Sequence, residues 1–172
     1  IFPKEKRSLI GTPICAEADR YGNLWCGQRV GVFILSPKQS GLRHLPHTLG
    51  KSMRAIRMDK NGLWTATVED DLFLQKTPDG PPEHFRAEAS IRAIFPLEGQ
   101  RYLIGGDFYE LYVLDTKTKR KQKLDLPHDG FSYSGISDGR FLWFVRHGLL
   151  RFDPRTKQHQ LFALNLSFDA CK

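Results

Sequence analysis

A short motif recurs along the chain at intervals of close to 40 residues, and this repetition limits the possible fold more than any other feature. Three copies combine an Asp, a Gly and a Trp, and a fourth, degenerate copy ends at a Tyr. The motif residues are Asp19, Gly22 and Trp25; Asp59, Gly62 and Trp64; Tyr102; and Asp138, Gly139 and Trp143. Their aromatic residues are 39, 38 and 41 positions apart. A turn followed by an aromatic residue at this period indicates repeated β-sheet units.

Each repeat divides into four short apolar segments separated by turn residues. In the first repeat they run over 14–18, 24–27, 32–35 and 42–45, and a turn rich in Pro, Gly or Asp precedes the fourth segment of every repeat. Such a meander of four strands is one blade of a β-propeller. The sequence therefore predicts that 1–172 is a single all-β segment of about four blades and part of a larger propeller. The blades are placed at roughly 13–50, 51–89, 90–129 and 130–166.

The three residue types of the motif suit this fold for physical reasons. An Asp carboxylate can bond the backbone amides of a tight turn, and Gly adopts the positive φ that such a turn needs. The aromatic side chain on the second strand fills the gap between one blade and the next. We therefore interpret the motif aromatics as packing residues, not as ligand-stacking ones.

The charge distribution does not favour a nucleic acid partner. The chain carries 26 basic and 19 acidic residues, a formal net charge of +7. Its densest basic cluster comprises Lys117, Lys119, Arg120, Lys121 and Lys123, where a turn leads into an edge strand. Lysines at such an edge discourage pairing with other chains, so we interpret the cluster as a solvated edge. The longest strongly apolar run, 141–145, is far below the about 18 residues of a membrane helix.

Cysteine and histidine positions do not point to a metal or a cofactor. Cys15 and Cys26 flank one hairpin, where they could form a disulfide or be two small buried side chains. His44 and His47 lie in the connection from the first blade to the second, and we expect them to be exposed and to hold no metal. No phosphate-binding loop, nucleophile elbow or zinc-protease motif is present in the sequence, so no catalytic residue is assigned and no cofactor is expected.

The motif layout resembles the two-component regulator propeller repeat. The first copy carries the resemblance through Asp19, Gly22, Trp25 and Gly27, and the second through Asp59 and Trp64, with Ala66 where that repeat usually has Gly. The third copy keeps Gly105 but loses the Asp and the Trp. In the fourth, Trp143 is retained while Phe144, Val145 and Arg146 replace the usual small residues. The resemblance covers roughly 13–164.

This resemblance implies the extracytoplasmic sensor region of a hybrid histidine kinase or a diguanylate cyclase. The expected function is a periplasmic, non-catalytic ligand-recognition propeller of a bacterial signal-transduction receptor, anchored to a membrane only through its parent chain. The expected partners are a small polar ligand, a glycan, a peptide or a partner protein, and the open ends of a four-blade segment also allow a homodimer. Two alternatives remain: a lyase of the streptogramin-lyase type, and a protein-interaction scaffold.

Candidate binding residues lie in the loops between the second and third strands of each blade, which meet on one face of a propeller. These loops carry both charge signs, as a polar ligand or peptide requires. The predicted ligand-binding residues are Arg29, Glu69, Asp70, Asp107, Tyr109, Arg146 and His147. Solvated loop residues with no ligand are the alternative interpretation of the same set.

Overall fold

The computed structural model describes residues 12–38, 42–77, 80–87, 89–107, 111–124, 134–145 and 148–162. It contains sixteen strands. They are β1 Cys15–Ala18, β2 Leu24–Gln28, β3 Gly31–Leu35, β4 Leu42–His44, β5 Met53–Asp59, β6 Gly62–Thr67, β7 Asp71–Gln75, β8 Glu83–Arg86, β9 Ile91–Pro96, β10 Arg101–Gly106, β11 Leu111–Asp115, β12 Lys121–Lys123, β13 Ser134–Ser137, β14 Leu142–Val145, β15 Leu149–Phe152 and β16 His159–Phe162.

The strands form four sheets of four, in sequence order: β1–β4, β5–β8, β9–β12 and β13–β16. Consecutive strands pair antiparallel, so each sheet is a meander and corresponds to one predicted blade. The only helical element among the described residues is a 3₁₀ turn, Pro46–Thr48. The predicted all-β, four-bladed architecture is thereby confirmed.

The Asp of the motif organises the turn between the first and second strands. Asp19 Oδ1 accepts hydrogen bonds from the backbone amides of Tyr21 and Asn23 at 2.8 and 2.9 Å. Its Oδ2 accepts one from the Trp25 indole at 3.0 Å. In the fourth blade Asp138 Oδ2 accepts the corresponding bond from Trp143 at 2.7 Å. One carboxylate therefore closes the turn and orients the indole at the same time.

The aromatic residues of the motif occupy one register in every sheet. Residues directly opposite each other on paired strands share a face of the sheet. The opposing residues on the third strand are Ile34 for Trp25, Leu74 for Trp64, Leu114 for Tyr102 and Arg151 for Trp143. We call the face that carries these aromatics the Trp face of each blade. Three of the four Trp faces thus have an apolar residue at the centre, and the fourth has an arginine.

The chain divides into two compact units, Ile1–Ile94 and Phe95–Lys172, with the border inside β9. In the first unit, the Trp face of blade 1 is covered by blade 2. Trp25 lies in a buried cluster with Ile34 of its own sheet and with Met53 and Ile56 of β5. The aromatic residue therefore packs at the seam between two blades here. The predicted extent of the propeller as one domain and its blade borders stay predictions.

In the second unit, an aromatic contact joins β9 to β14. The rings of Phe95 and Phe144 meet edge to face, with centroids 5.2 Å apart. Tyr102, the degenerate motif aromatic, is 1% exposed, so it is as buried as an indole of a complete copy. Loss of the motif Asp and Trp in the third repeat has therefore not prevented its aromatic residue from packing.

Both cysteines of the first hairpin are free thiols. Cys15 pairs with Gly27 while Cys26 pairs with Ala16, so the two side chains point to opposite faces of the sheet. This geometry decides between the two alternatives for Cys15 and Cys26 in favour of separate, small packing residues. Burial raises the pKa of the Cys15 thiol to about 11, and it also raises that of Cys26.

Candidate functional site

The predicted binding residues lie in several loops. Arg29 is exposed in the β2–β3 turn. Glu69 and Asp70 share the β6–β7 turn, where Asp70 has a φ of 65° and Glu69 is exposed. Asp107, directly after β10, is buried. Tyr109, Arg146 and His147 lie outside the described residues. Among the four described members of the set, Glu69 and Asp70 are neighbours in one turn.

Next to the β6–β7 turn, charged side chains converge on Asp71, the first residue of β7. The Lys51 ammonium lies 2.6 Å from Asp71 Oδ2, and His84 Nε2 of β8 lies 2.7 Å from Asp71 Oδ1. Side-chain exposure decreases from half for His84 to about one fifth for Asp71. Asp71 is therefore the partly buried centre of a polar group whose two partners reach solvent.

Three side chains of this region lie against one aromatic ring, that of Phe73. Phe73 stacks on His84 with centroids 4.9 Å apart, and the His47 ring lies 5.2 Å away at a tilt of 60°. The Lys51 ammonium lies 5.6 Å from the centre of the same ring. A cation or a protonated imidazole over an aromatic face is electrostatically favourable. We call Lys51, Asp71, Phe73, His84 and His47 the Asp71 cluster.

Strand register places the cluster members of blade 2. Phe73 stands directly opposite His84, and Asp71, two residues earlier on β7, points to the same face. The hydroxyl oxygen of Thr67 accepts hydrogen bonds from the amides of Glu69 and Asp71 at 3.2 and 3.1 Å. These two hydrogen bonds stabilise the β6–β7 turn and fix the position of Asp71 at the start of β7.

A buried threonine fixes the connection that supplies Lys51 and His47. Thr48 Oγ1 accepts a hydrogen bond from the Val32 amide at 2.9 Å and donates one to the Leu45 carbonyl at 2.7 Å. The Lys51 amide in turn bonds the Thr48 carbonyl at 3.0 Å. The β4–β5 connection is thus tied to blade 1 at one end while its Lys51 side chain reaches Asp71 of blade 2.

The electrostatics of the cluster keep its carboxylate ionised. Burial alone would raise the pKa of Asp71, but hydrogen bonds and charge from Lys51 and His84 lower it below its usual value. Both carboxylate oxygens are occupied, which leaves the outward N–H groups of Lys51 and the Nδ1 atom of His84 as the groups able to bind a further molecule. Such an arrangement suits recognition of a polar ligand by hydrogen bonds and charge.

His44 and His47 differ from their expected exposure, because both rings are half-buried. His44 packs edge-on against Phe33 with centroids 5.0 Å apart, and His47 packs on Phe73. Burial lowers the pKa of both imidazoles; the positive charge of Lys51 also acts on His47. Within the described ranges, no group of three or more His, Cys, Asp or Glu side chains has a geometry that could hold a metal ion.

Sequence reasoning selected Asp70 but missed its neighbour Asp71, together with Lys51 and His84. Alternation along β7 and pairing with β8 could have linked Asp71, Phe73 and His84, since these residues share one face of a predicted hairpin. No comparable pattern in the sequence links Lys51 to these residues. Its position depends on the course of the β4–β5 connection, which no local pattern specifies.

Comparisons with known proteins find similar structures but no similar sequence. No protein-family model matches it, and none of the curated proteins matches its sequence. The extracellular domain of the hybrid two-component system BT4673 from B. thetaiotaomicron is similar in structure, with a TM-score of 0.63 and 16% identity. That similarity covers 95% of this chain and 23% of the other.

Two further similar structures are a β-propeller domain and a WD40 domain. The Cps50 (Swd1) β-propeller domain from Myceliophteria thermophila has a TM-score of 0.70 at 16% identity, over 90% of this chain and 56% of that one. The Pan2 WD40 domain from Neurospora crassa has a TM-score of 0.67 at 16% identity, over 88% and 50%. At this identity the likeness shows the β-propeller fold, and the chain spans from just under a quarter to just over half of each structure.

Across the described ranges, no helix combines the length and the hydropathy that a bilayer span needs.

Proposed function

We propose that the chain is a ligand-recognition propeller segment of the extracytoplasmic sensor region of a bacterial signal-transduction receptor, and that it is not itself an enzyme. The resemblance of its motif to the two-component regulator propeller repeat supports this assignment. The fold likeness to the BT4673 extracellular domain agrees with it. The periplasmic location follows from the same resemblance and is part of the proposal.

The observation that carries the proposal is the Asp71 cluster. Its charged groups are mounted on paired strands and on a connection held by Thr48, so they need little reorganisation to bind a ligand. Loops between second and third strands converge on one face of a propeller, and the cluster begins at such a loop. The proposed ligand is a small polar molecule, a glycan or a peptide that bonds Lys51 and His84.

A ligand screen by thermal shift, followed by calorimetric titration of each hit, tests this function. A ligand present at 100 times its dissociation constant stabilises the folded chain by about 2.7 kcal/mol, which a melting curve readily detects. We expect Asp71→Asn and His84→Gln to weaken the binding of such a hit by about tenfold or more. If neither substitution weakens binding, the Asp71 cluster is not the ligand-binding site.

A matched control is available on the same hairpin. Lys76 and Glu83 form an exposed ion pair at the opposite end of β7 and β8, with a 2.5 Å separation between Nζ and Oε1. Glu83→Gln removes one charge and one ion pair from that hairpin without touching the Asp71 cluster, so it should leave ligand affinity unchanged. Consumption of the ligand during the titration would instead favour the lyase alternative.

A further inference from the structure

A pocket of about 680 Å³ lies on blade 4. It is formed by the β13–β14 turn together with β15, β16 and the turn between them. Its walls include Arg140, Phe141, Arg151, Lys157, His159 and Gln160. The volume is in the range of pockets that take small organic molecules. Basic side chains and one aromatic ring thus dominate its lining.

Arg151 departs from the pattern of the other blades. It stands opposite Trp143 on the Trp face, where the other three blades have Ile34, Leu74 and Leu114. In blade 1 that central residue is buried in an apolar cluster against β5 of the next blade. A guanidinium at the same place is ill suited to a dry seam between sheets, because its charge would lose hydration. The Trp face of blade 4 therefore carries a positive charge at the position where the other three blades have an apolar residue.

The guanidinium groups of this pocket are held in position by aromatic rings. Arg140 and Arg151 each place their guanidinium carbon 4.7 Å from the centroid of Phe141. Arg151 also lies 5.8 Å from the centroid of Phe162 and donates a hydrogen bond to Gln160 Oε1 at 2.8 Å. Stacking and this hydrogen bond limit the rotation of a side chain that is otherwise long and flexible.

The positive charge in the pocket is only partly balanced. Since both guanidinium groups stack on one ring, their carbons are at most about 9.4 Å apart, close to the screening length of about 8 Å at physiological salt. Neither arginine makes an ion pair with a carboxylate in the described part of the chain. Asp153 also lines the pocket, and its pKa is lowered by hydrogen bonds from the amides of Arg155 and Thr156 in its own turn and by the charge of Arg140. Its carboxylate therefore offsets part of the charge of Arg140 and leaves the pocket with a surplus of positive charge.

From this arrangement we infer that the blade 4 pocket is a binding site for a small polyvalent oxyanion, such as a tricarboxylate or an organic phosphate. A planar guanidinium matches the oxygen pair of a carboxylate or a phosphate group through two parallel N–H···O bonds. Two such groups, with Lys157 and His159 at the rim, select an anion that carries more than one negative charge. The site shares no residue with the Asp71 cluster and does not depend on the function proposed above.

Calorimetric titration of the full chain with citrate and, in a second series, with inorganic pyrophosphate tests the site. We expect saturable binding of at least one anion, weakened as salt is raised from 20 to 150 mM. Arg140→Gln and Arg151→Gln should each weaken binding by about tenfold or more. Arg151→Lys, which keeps the charge but loses the planar fork, should fall between the wild type and Arg151→Gln. The stronger of the two anions identifies carboxylate or phosphate as the preferred group.

Blade 1 offers a matched control. Arg20 stacks on the neighbouring Tyr21 at 4.9 Å in the equivalent turn, and no other arginine of the described ranges stacks on that ring. Arg20→Gln therefore removes one stacked positive charge elsewhere, and binding should change by less than about twofold. A loss equal to that of Arg151→Gln would mean unspecific attraction to a basic chain and would overturn the site.

A nuclear magnetic resonance titration locates the bound anion and checks the fold of each variant. The Trp143 indole N–H, bonded to Asp138 beside the pocket, should shift on addition of citrate or pyrophosphate, while that of Trp64 should not. Absence of both heat and shift up to 10 mM of either anion would refute the proposal. Asp71→Asn should leave the titration unchanged, so failure of the proposed sensor site would not affect this result.

Discussion

Trp25 in blade 1 and Trp143 in blade 4 come from the same motif and make the same hydrogen bond, yet they end in different surroundings. Each indole donates to the Asp of its own turn, at 3.0 and 2.7 Å respectively. Trp25 is 6% exposed, because Met53 and Ile56 of the next blade cover it. Trp143 is only half-buried, and Ile136, which stands opposite it, is 69% exposed.

This difference separates the local role of the motif from its contribution to stability. The carboxylate fixes the turn and the indole in either blade, whatever packs on the sheet. Burial of apolar area, at about 25 cal/mol per Å², depends on a neighbouring sheet. The same three residues are therefore expected to contribute unequally to the free energy of unfolding in the two blades.

The largest effect should come from removing the two indoles. Trp25→Ala is expected to lower the free energy of unfolding by about 3–5 kcal/mol, since it leaves a cavity at a buried seam. Trp143→Ala should lower it by about 1–2 kcal/mol, because a half-buried ring forfeits less transfer energy. Urea denaturation followed by circular dichroism measures both. Equal losses in the free energy of unfolding would show that covering the Trp face does not increase the contribution of the indole to stability.

A smaller effect is expected at Gly27, where blade 1 and blade 2 approach closely. A Cβ at this position would lie 2.5 Å from Cys15 Sγ and 3.1 Å from Met53 Cβ. Gly27→Ala should therefore destabilise the chain by about 1–3 kcal/mol through overpacking. Adding Cys15→Ala removes the nearest atom, so the double variant should lose less than the two single losses combined. Strict additivity would mean that Cys15 is not the obstacle.

The motif carboxylates predict a dependence of stability on pH. Burial alone would raise the pKa of Asp19, but hydrogen bonds from Asn23 and Trp25 lower it; the amide of Phe141 and the Trp143 indole lower that of Asp138. A lowered pKa in the folded chain stabilises it above the unfolded value of about 3.9, and this contribution is lost as the pH falls through the folded pKa.

Denaturation between pH 5 and pH 2 tests this expectation. Asp19→Asn should flatten the fall in stability by at most about 1 kcal/mol after solvent screening, because an amide does not titrate over this pH range. Asp138→Asn should flatten it less, since the carboxylate of blade 4 is solvated and screened. A larger effect at Asp138 than at Asp19 would reverse the order that the comparison predicts.

The smallest effect is expected at Ile136. Replacement by Gln should change the free energy of unfolding by less than about 0.5 kcal/mol, as for other exposed positions away from special contacts. Urea denaturation in parallel with the Trp143 variant provides the measurement. A loss above about 1 kcal/mol would show that the Trp face of blade 4 is covered in solution.

Much of the fold could be predicted because propeller blades repeat their local chemistry. Even the third copy, which has neither the Asp nor the Trp of the motif, was located by its period and by Tyr102. The binding residues were less accessible. Glu69 and Asp70 were selected as loop residues, whereas Lys51 and His84, far from each other in sequence, meet only at Asp71 through register and the β4–β5 connection.

The position of Arg151 in blade 4 likewise could not be predicted from the sequence. In the sequence it is one arginine within an apolar strand, and nothing nearby distinguishes it from a solvated residue. Only the pairing of β14 with β15 places it opposite Trp143, and only the turn before β14 brings Phe141 and Arg140 beside it.

The sequence by itself determined the strands, the turns and the spacing of the blades, since these depend on interactions between residues only a few positions apart. The tertiary structure alone decided which faces of the described sheets are covered and which charges meet. Those properties depend on distances between residues far apart in the chain, and a repeated motif carries no information about what will pack against it.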